Sequence, residues 1–266
     1  MDKKTTPAPP PRRTVRRTEK ADPPGPAGSV SDQATSNRIL AALPPATRAR
    51  LLTVLEPVSL APGQVIYRPE SPIEYTYFIT SGLVSLVKTM SDGRTVEIGA
   101  IGVEGVTGPD ALFGIPNALL ECIVRVPGTA LRMRPDAMRR EMALCPVLSA
   151  LAAHFVQAII SQISQTAACN RLHSLEQRCC RWLLIAHDSA LSEDFRLTHE
   201  FLAMLLGAQR AGVSLKVHAM QAAGLIAYRR GTMTILDREG LLDASCECYG
   251  AIRKQLDDIF KIETMI

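Results

Sequence analysis

Residues 197–240 constrain the fold more than any other part of this 266-residue chain. Their first apolar positions recur at the spacing of one helix face: Phe201, Leu202, Leu205 and Leu206. Thr198 stands where a helix cap is expected, and Gly207 follows as a helix terminator. A second amphipathic pattern covers residues 209–223. Two short helices joined by a glycine turn predict a helix-turn-helix.

A basic hairpin follows these helices. Apolar positions at 225–228 and 233–236 flank Arg229, Arg230 and Gly231 and predict two strands with a charged tip, the wing of a winged helix-turn-helix. Such a unit places its second helix in the DNA major groove. The predicted DNA-binding residues are Thr198, Gln209, Arg210, Ser214, Lys216, Arg229 and Arg230.

Arg210 is the strongest candidate for reading a base, because its planar fork can donate two hydrogen bonds to guanine O6 and N7. Gln209, Ser214 and Lys216 suit either bases or phosphates, and the sequence does not decide between them. The paired arginines of the hairpin suit the phosphate backbone.

Two other function classes compete with DNA binding. A small-molecule-sensing signalling module could use its winged helix for protein contacts, and the similar numbers of acidic and basic residues in the last ninety or so positions support that alternative. An enzyme is not expected, because the five histidines are scattered and no nucleophile elbow, HExxH, Walker loop or GxGxxG is present. We therefore predict no catalytic residue.

The N-terminal half has the pattern of a small antiparallel roll or barrel. After a helical segment at 37–55, short apolar runs alternate with the turn signals Pro-Gly, Ser-Gly and Ser-Asp-Gly. The expected strands cover residues 65–67, 75–80, 83–90, 95–100, 119–126 and 129–133. We assign residues 35–143 to this sensor domain.

The period changes after residue 135, and a long helix is expected at 146–170. One apolar stripe with a heptad rhythm contains Leu148, Leu151, Phe155 and Ala158 and continues to Gln162; a second contains Val156, Ile159, Ile160 and Ile163. Two apolar faces need two surfaces, so one face is expected on the roll and the other on a partner helix in a homodimer. An ordinary buried helix in a monomer is the alternative.

The domain boundaries follow from these patterns. Residues 144–173 form the dimerisation helix and hinge, and residues 174–266 form the winged helix-turn-helix domain. Ser174 and Gln177 predict a capping box that opens a helix at 175–187. The hinge is expected at 170–174, and a last helix at 246–260.

The runs LTHEFLAMLLGAQRAGV and GLIAYRRGTMTILDREGL resemble the Crp/Fnr family of bacterial transcription regulators, and the resemblance covers about residues 39–249. It implies an α+β fold with an N-terminal cyclic-nucleotide-binding-like β-roll, a dimer helix and a C-terminal winged helix. It also implies a homodimer on a two-fold DNA site, with RNA polymerase as a further candidate partner. Arg210 matches the arginine that many members direct at guanine. Ala211 and Leu215 depart from the family's acidic and second arginine readers, so no target sequence can be carried over.

The resemblance also locates an effector pocket, at Gly102, Glu104, Gly105, Leu120 and Glu121. Members that bind cyclic nucleotides hold the phosphate with an arginine and a serine or threonine, and Leu120 and Glu121 occupy those two positions here. Val103 replaces the glutamate that binds ribose. We therefore expect a degenerate pocket that binds neither cAMP nor cGMP tightly, and the small-molecule effector is unknown.

Composition sets the remaining expectations. Residues 1–34 are rich in proline and charge and are expected to be a disordered basic tail. The net charge is only +4. We expect no apolar stretch that approaches the roughly 20 residues of a membrane span and no secretion signal, and therefore a cytoplasmic protein without membrane contact.

Seven cysteines argue against a disulfide framework, because an odd number cannot pair completely. No CxxC pair occurs, and the first cysteine is Cys122, so the N-terminal iron–sulfur mode of the family is not expected. Cys246 and Cys248 could bind a metal or sense oxidation, although buried structural thiols are the commoner interpretation. We predict no cofactor and no metal.

Overall fold

The computed structural model describes residues 29–190 and 193–261. Most of the expected tail, residues 1–28, lies outside them. The tail boundary at 34 is wrong, because helix α1 already covers Val30–Ser36. Ser29 and Asp32 form a capping box at its start, and Ala34 is fully buried, so local hydrogen bonds and burial stabilise this segment.

The N-terminal domain is an antiparallel roll with small helices. Its elements are α2 (Arg38–Ala41), α3 (Pro45–Leu52), β1 (Glu56–Leu60), β2 (Val65–Tyr67), β3 (Thr76–Thr89), β4 (Thr95–Ile101), α4 (Pro109–Leu112) and β5 (Glu121–Met133). The strand order is β1-β5-β3-β4, and β2 also pairs with β5. The helix expected at 37–55 is divided because Pro44 and Pro45 interrupt it.

Two predicted turns are bulges inside long strands. Gly82 lies within β3 and Gly128 within β5, and the two strands pair along this region with shifts in register. A Cβ on Gly128 would lie 2.1 Å from the carbonyl oxygen of Ser81, and one on Gly82 would lie 2.6 Å from that of Val126. These glycines therefore permit close backbone approach between β3 and β5, and neither strand reverses there. The hairpin predicted at Ser91-Asp92-Gly93 does connect β3 to β4.

Helix α5 (Pro135–Leu144) leads into the long helix α6 (Pro146–Leu172). The stripe of α6 with the heptad rhythm is buried within the chain itself: Leu148, Leu151, Phe155, Ala158 and Gln162. Phe155 packs beneath Gly105, and the Gln162 Oε1 atom accepts a hydrogen bond from the Ala100 amide at 2.8 Å. Of the two expected faces of α6, this stripe is therefore the one that packs on the roll.

Another face of α6 is exposed. Ala153, Gln157, Ile160 and Ser164 follow one another at intervals of four, three and four residues and lie at the surface. Ile160 is 53% exposed although it is a large apolar residue. This face remains available for a partner helix.

By length and composition, α6 is also apolar enough to cross a membrane, contrary to the expectation that no stretch comes close. In this fold 39% of its most apolar window is buried against other parts of the chain.

The C-terminal domain consists of α7 (Leu175–Ser189), β6 (Asp194–Arg196), α8 (His199–Leu205), α9 (Arg210–Ala222), β7 (Ile226–Arg229), β8 (Thr232–Ile235), α10 (Arg238–Ala244) and α11 (Cys248–Ile259). Its sheet has the order β6-β8-β7. The capping box of Ser174 and Gln177 is confirmed. Only His173 and Ser174 separate α6 from α7, so the connection is shorter than the expected hinge.

The two domains share a buried contact. The Trp182 indole of α7 donates a hydrogen bond to Glu97 of β4 at 3.0 Å, and the guanidinium of Arg125 lies 4.5 Å above the Phe201 ring. Burial raises the pKa of Glu97, although Ser85 also hydrogen-bonds its carboxylate. The first helix of the helix-turn-helix is thus packed directly on the roll.

Candidate nucleic-acid interface

The helix-turn-helix is built by local sequence signals. The Thr198 hydroxyl accepts a hydrogen bond from the Phe201 amide at 3.2 Å and caps α8. Gly207 has φ +58° and makes the turn between the helices. Thr198 was predicted to bind DNA, and the structure places it as the cap of α8, where its oxygen accepts this bond.

Arg210 lies at the first turn of α9, as predicted for a base-reading residue. Its side chain is 69% exposed, and its Nε atom lies 3.6 Å from a carboxylate oxygen of Glu200, which is itself exposed. An exposed ion pair of this kind contributes little, so it does not hold the guanidinium away from a ligand. Gln209, the residue before it, is also exposed.

Two other predicted contacts are engaged elsewhere. The Ser214 hydroxyl lies 2.9 Å from Nδ1 of His199, which connects α9 to α8. The Lys216 ammonium lies 3.0 Å from a carboxylate oxygen of Glu176 on α7. Lys216 therefore faces the neighbouring helix on the flank of α9, and its prediction as a DNA contact is not supported by this geometry.

The residues predicted to bind DNA cover only part of the outward face of α9. Val213, Val217 and Met220 are buried, and the helical positions opposite them are Ala211, Leu215, His218 and Ala222, all exposed. Leu215 is 70% exposed. Successive residues of a helix are about 100° apart around its axis. The positions of Val213, Val217 and Met220 in the sequence therefore already indicate which residues lie on the opposite face.

His199 joins three parts of the domain. Its ring stacks on Tyr228 of the wing with 4.3 Å between the centroids and meets His218 of α9 edge-on at 6.1 Å. Burial lowers the pKa of His199, and the nearby charges of His218 and Arg210 lower it further. The neutral ring therefore stabilises the orientation of α9 relative to the wing.

The hairpin of β7 and β8 presents the two arginines as expected. Arg230 has φ +51° and Gly231 has φ +81°, so both central residues of the turn are left-handed, as in a type I′ hairpin. Arg229 and Arg230 are exposed. Within residues 29–190 and 193–261, neither guanidinium has a hydrogen bond or an ion pair, so both charges are available to an anionic ligand.

The start of α9 also borders a cavity of about 930 Å³ shared with the roll. Arg94 of the β3–β4 hairpin and Arg178 of α7 line it together with Arg210 and Glu200. The tip of the β3–β4 hairpin thus adds a further basic side chain close to the predicted reading end of α9.

The five residues expected in the effector pocket have different surroundings. Glu104 lines a cavity of about 250 Å³ between the roll and the C-terminal domain, and its carboxylate accepts a hydrogen bond from the Gly102 amide at 2.8 Å. Gly105 lies against the Phe155 ring. Leu120 packs against the roll core, and Glu121 begins β5 opposite Val87.

Comparison with known families agrees with this architecture. Residues 57–144 match the family described as the cyclic nucleotide-binding domain, and residues 177–244 match the Crp-like helix-turn-helix domain. Together these matches cover more than half of the chain. The chain belongs to the Crp/Fnr family. Members of this family are transcription regulators with a DNA-binding helix-turn-helix and are not enzymes.

Solved structures of Crp/Fnr regulators share the fold. A regulator of the family from Eubacterium rectale has a TM-score of 0.62 at 16% identity, covering 79% of this chain and 98% of its own. FixK2 from Bradyrhizobium japonicum has a TM-score of 0.60 at 15% identity, covering 73% and 98%. TTHB099 from Thermus thermophilus has a TM-score of 0.59 at 22% identity, covering 71% and 96%. No curated protein sequence matches the chain.

Proposed function

We propose that this Crp/Fnr protein acts as a homodimer that reads a specific two-fold DNA site and does not respond to cAMP. The observation that supports this most directly is the exposed guanidinium of Arg210 at the start of α9. The unpaired arginines of the wing support it further, because backbone contacts are the main source of DNA affinity.

The contacts divide into base reading and backbone positioning. Arg210 donates to guanine, and Gln209 lies next to it for a second polar contact. Leu215 is placed for an apolar contact with a thymine methyl group. Arg229 and Arg230 contact phosphates, whereas Ser214 and Lys216 orient α9 through His199 and Glu176.

Dimerisation is proposed through the exposed face of α6 that contains Ala153, Gln157, Ile160 and Ser164. A parallel pair of these helices would present two copies of α9 to half-sites about one helical turn apart. The proposed domains are a sensor at residues 29–144, the helix α6 with its short hinge, and a DNA-binding domain at residues 174–261.

The sensor is proposed to respond to a small molecule other than cAMP or cGMP. Leu120 cannot donate a hydrogen bond to a phosphate, and the carboxylate of Glu121 would repel one. A cytoplasmic location and contact with RNA polymerase complete the proposal, since both accompany transcription regulation from a promoter.

The experiment is a comparison of Arg210→Ala with Lys216→Ala. The operator is first obtained by selection from random duplexes, and affinities are then measured by gel shift at fixed salt. Loss of one bidentate guanine contact costs about 1–3 kcal/mol, so Arg210→Ala should weaken operator binding about 5- to 150-fold per contact and relax discrimination at that base. Lys216→Ala should change operator affinity less than about threefold. The ion pair between Lys216 and Glu176 is only half-buried, and such a pair contributes little to the orientation of α9.

Full retention of operator affinity and base discrimination by Arg210→Ala would contradict the proposed role of this residue. A general loss of binding in both variants would show instead that the domain, and not the contact, had been damaged.

The second candidate is a signalling module whose winged helix contacts proteins. The exposed Leu215 and the neighbouring alanines of α9 favour it, because an exposed apolar face also suits contact with another protein. A partner interaction that is insensitive to salt would support this candidate, whereas DNA affinity falls steeply as salt increases.

A further inference from the structure

Three buried cysteines and a histidine meet where the long helix ends. Cys169 and His173 are four residues apart at the end of α6, and Cys246 and Cys248 lie at the start of α11. The four potential ligand atoms all lie within 4.8 Å of one another. The Sγ atoms of Cys169 and Cys246 are 3.6 Å apart, and Cys248 Sγ lies 3.4 Å from Nδ1 of His173.

These distances match one tetrahedral metal ion. With bonds of about 2.3 Å to sulfur, the edges of a tetrahedron around zinc measure about 3.8 Å. The cysteines contribute sulfur ligands and His173 a nitrogen ligand, which is the Cys₃His set of structural zinc sites. The separation of 77 residues between Cys169 and Cys246 explains why the sequence did not show the cluster.

Neighbouring side chains hydrogen-bond the potential ligands of the cluster and hold them in place. The Nε2 atom of His173 points to the Glu247 carboxylate at 3.3 Å, which leaves Nδ1 directed at the cysteines. The Gln165 amide donates a hydrogen bond to Cys248 Sγ at 3.0 Å. A carboxylate on the outer nitrogen of a ligand histidine fixes its orientation and raises its basicity.

A buried arginine near the cluster provides an independent observation. Arg181 is buried, its Nε atom has no hydrogen-bond partner in the described residues, and its charge acts on Cys169. Its guanidinium also interacts with the carboxylate of Glu97, which Arg125 shares. Zn²⁺ with three thiolates and a neutral histidine has a single net negative charge, which would place an anionic group beside Arg181.

We propose that Cys169, His173, Cys246 and Cys248 bind a structural Zn²⁺ ion. The ion joins the end of α6 to the start of α11. His173 directly precedes Ser174, the cap of α7, so the ion also fixes the connection between the sensor and the DNA-binding domain. Its function is to hold α8 and α9 in a defined orientation relative to α6.

The test measures metal content, which does not depend on DNA binding. The full chain is purified under reducing conditions without chelator and analysed by inductively coupled plasma mass spectrometry. Wild type should contain about one zinc ion per chain. Cys248→Ser and His173→Ala should lose zinc affinity by more than about 100-fold, because loss of even a group that only hydrogen-bonds a metal ligand costs about 10- to 100-fold. Cys145→Ser is the matched control, since Cys145 is buried but lies outside the cluster, and it should retain zinc.

A second measurement covers the case in which the ligand variants do not fold. Zinc-depleted wild type is titrated with Co²⁺ alone, and a tetrahedral thiolate site should give intense visible d–d absorption that Zn²⁺ then abolishes. Absence of these bands together with zinc-free wild type would overturn the proposal. Equal zinc in wild type, the control and both ligand variants would overturn it as well, as would iron with acid-labile sulfide in place of zinc.

Discussion

One substitution at the tip of the wing, Arg230→Asn, changes both the charge and the backbone strain at this position. Arg230 has a left-handed backbone conformation, which costs an L-residue roughly 1–2 kcal/mol and which asparagine tolerates better than most residues. Asparagine followed by glycine is also the favoured pair for a type I′ turn, and Gly231 already follows. Arg230→Asn should therefore remove the charge and still preserve the hairpin, with a gain in unfolding free energy of up to about 1 kcal/mol.

The expected effect on DNA binding follows from counterion release. Each phosphate contact contributes about 0.9 to the slope of log affinity against log salt concentration. In a dimer with one Arg230 in each subunit, Arg230→Asn should reduce the magnitude of the slope by about 1.8. The ratio of the operator affinities of wild type and variant should then fall by about 12-fold between about 50 and 200 mM salt. If the protein bound DNA as a monomer, the magnitude of the slope would fall by only about 0.9.

The assay is fluorescence anisotropy with a labelled operator duplex at several salt concentrations, together with thermal unfolding of each protein. Arg230→Lys is the control that keeps the charge, and its slope should remain that of wild type. An unchanged slope in Arg230→Asn, with the protein at least as stable as wild type, would refute the phosphate contact. A slope reduced by about 0.9 would refute the symmetric dimer.

Two predictions concern the sensor and the histidine of the helix-turn-helix. In calorimetry, cAMP should bind wild type with a Kd weaker than about 1 mM, and Leu120→Arg combined with Glu121→Ser should tighten it; micromolar binding by wild type would disprove the degenerate pocket. The pKa of His199 is lowered on folding by burial and by the charges of His218 and Arg210, so its stabilising contribution is present above the unfolded pKa near 6.5 and is lost as the pH falls through the folded pKa. Thermal unfolding should thus show a loss of stability below about pH 6.5 that His199→Phe reduces; an identical pH profile in both proteins would disprove this assignment.

The parts of the fold that were predicted well are those encoded by adjacent residues. Thr198, Gly207 and Gly224 mark the helix-turn-helix because caps and left-handed glycines act over one turn. The capping box of Ser174 and Gln177 is equally local. Such signals need no knowledge of the neighbouring domain.

The errors have a different cause. Helical periodicity shows that Phe155 and Lys216 lie on particular faces, but it does not show which element covers each face. The sequence left open which stripe of α6 meets the roll, and the structure shows that Phe155 packs on it. Lys216 pairs with Glu176, and its contact with DNA stays a prediction. The Cys₃His cluster was missed for the same reason, because its two halves are brought together only by tertiary packing.

The two departures of α9 from the family pattern, Ala211 and Leu215, lie on its outward face and change what that face can bind. Ala211 removes an acidic acceptor, and Leu215 replaces a guanidinium with an exposed apolar side chain at the middle of the outward face. A face of this kind cannot offer several polar contacts to guanine and cytosine, but it fits the methyl group of thymine. Under the proposed function, Arg210 provides the main hydrogen-bonded reading, so the preferred half-site should combine one required guanine with neighbouring thymines. Specificity in this chain would therefore depend on shape and apolar contact as much as on the single guanidinium.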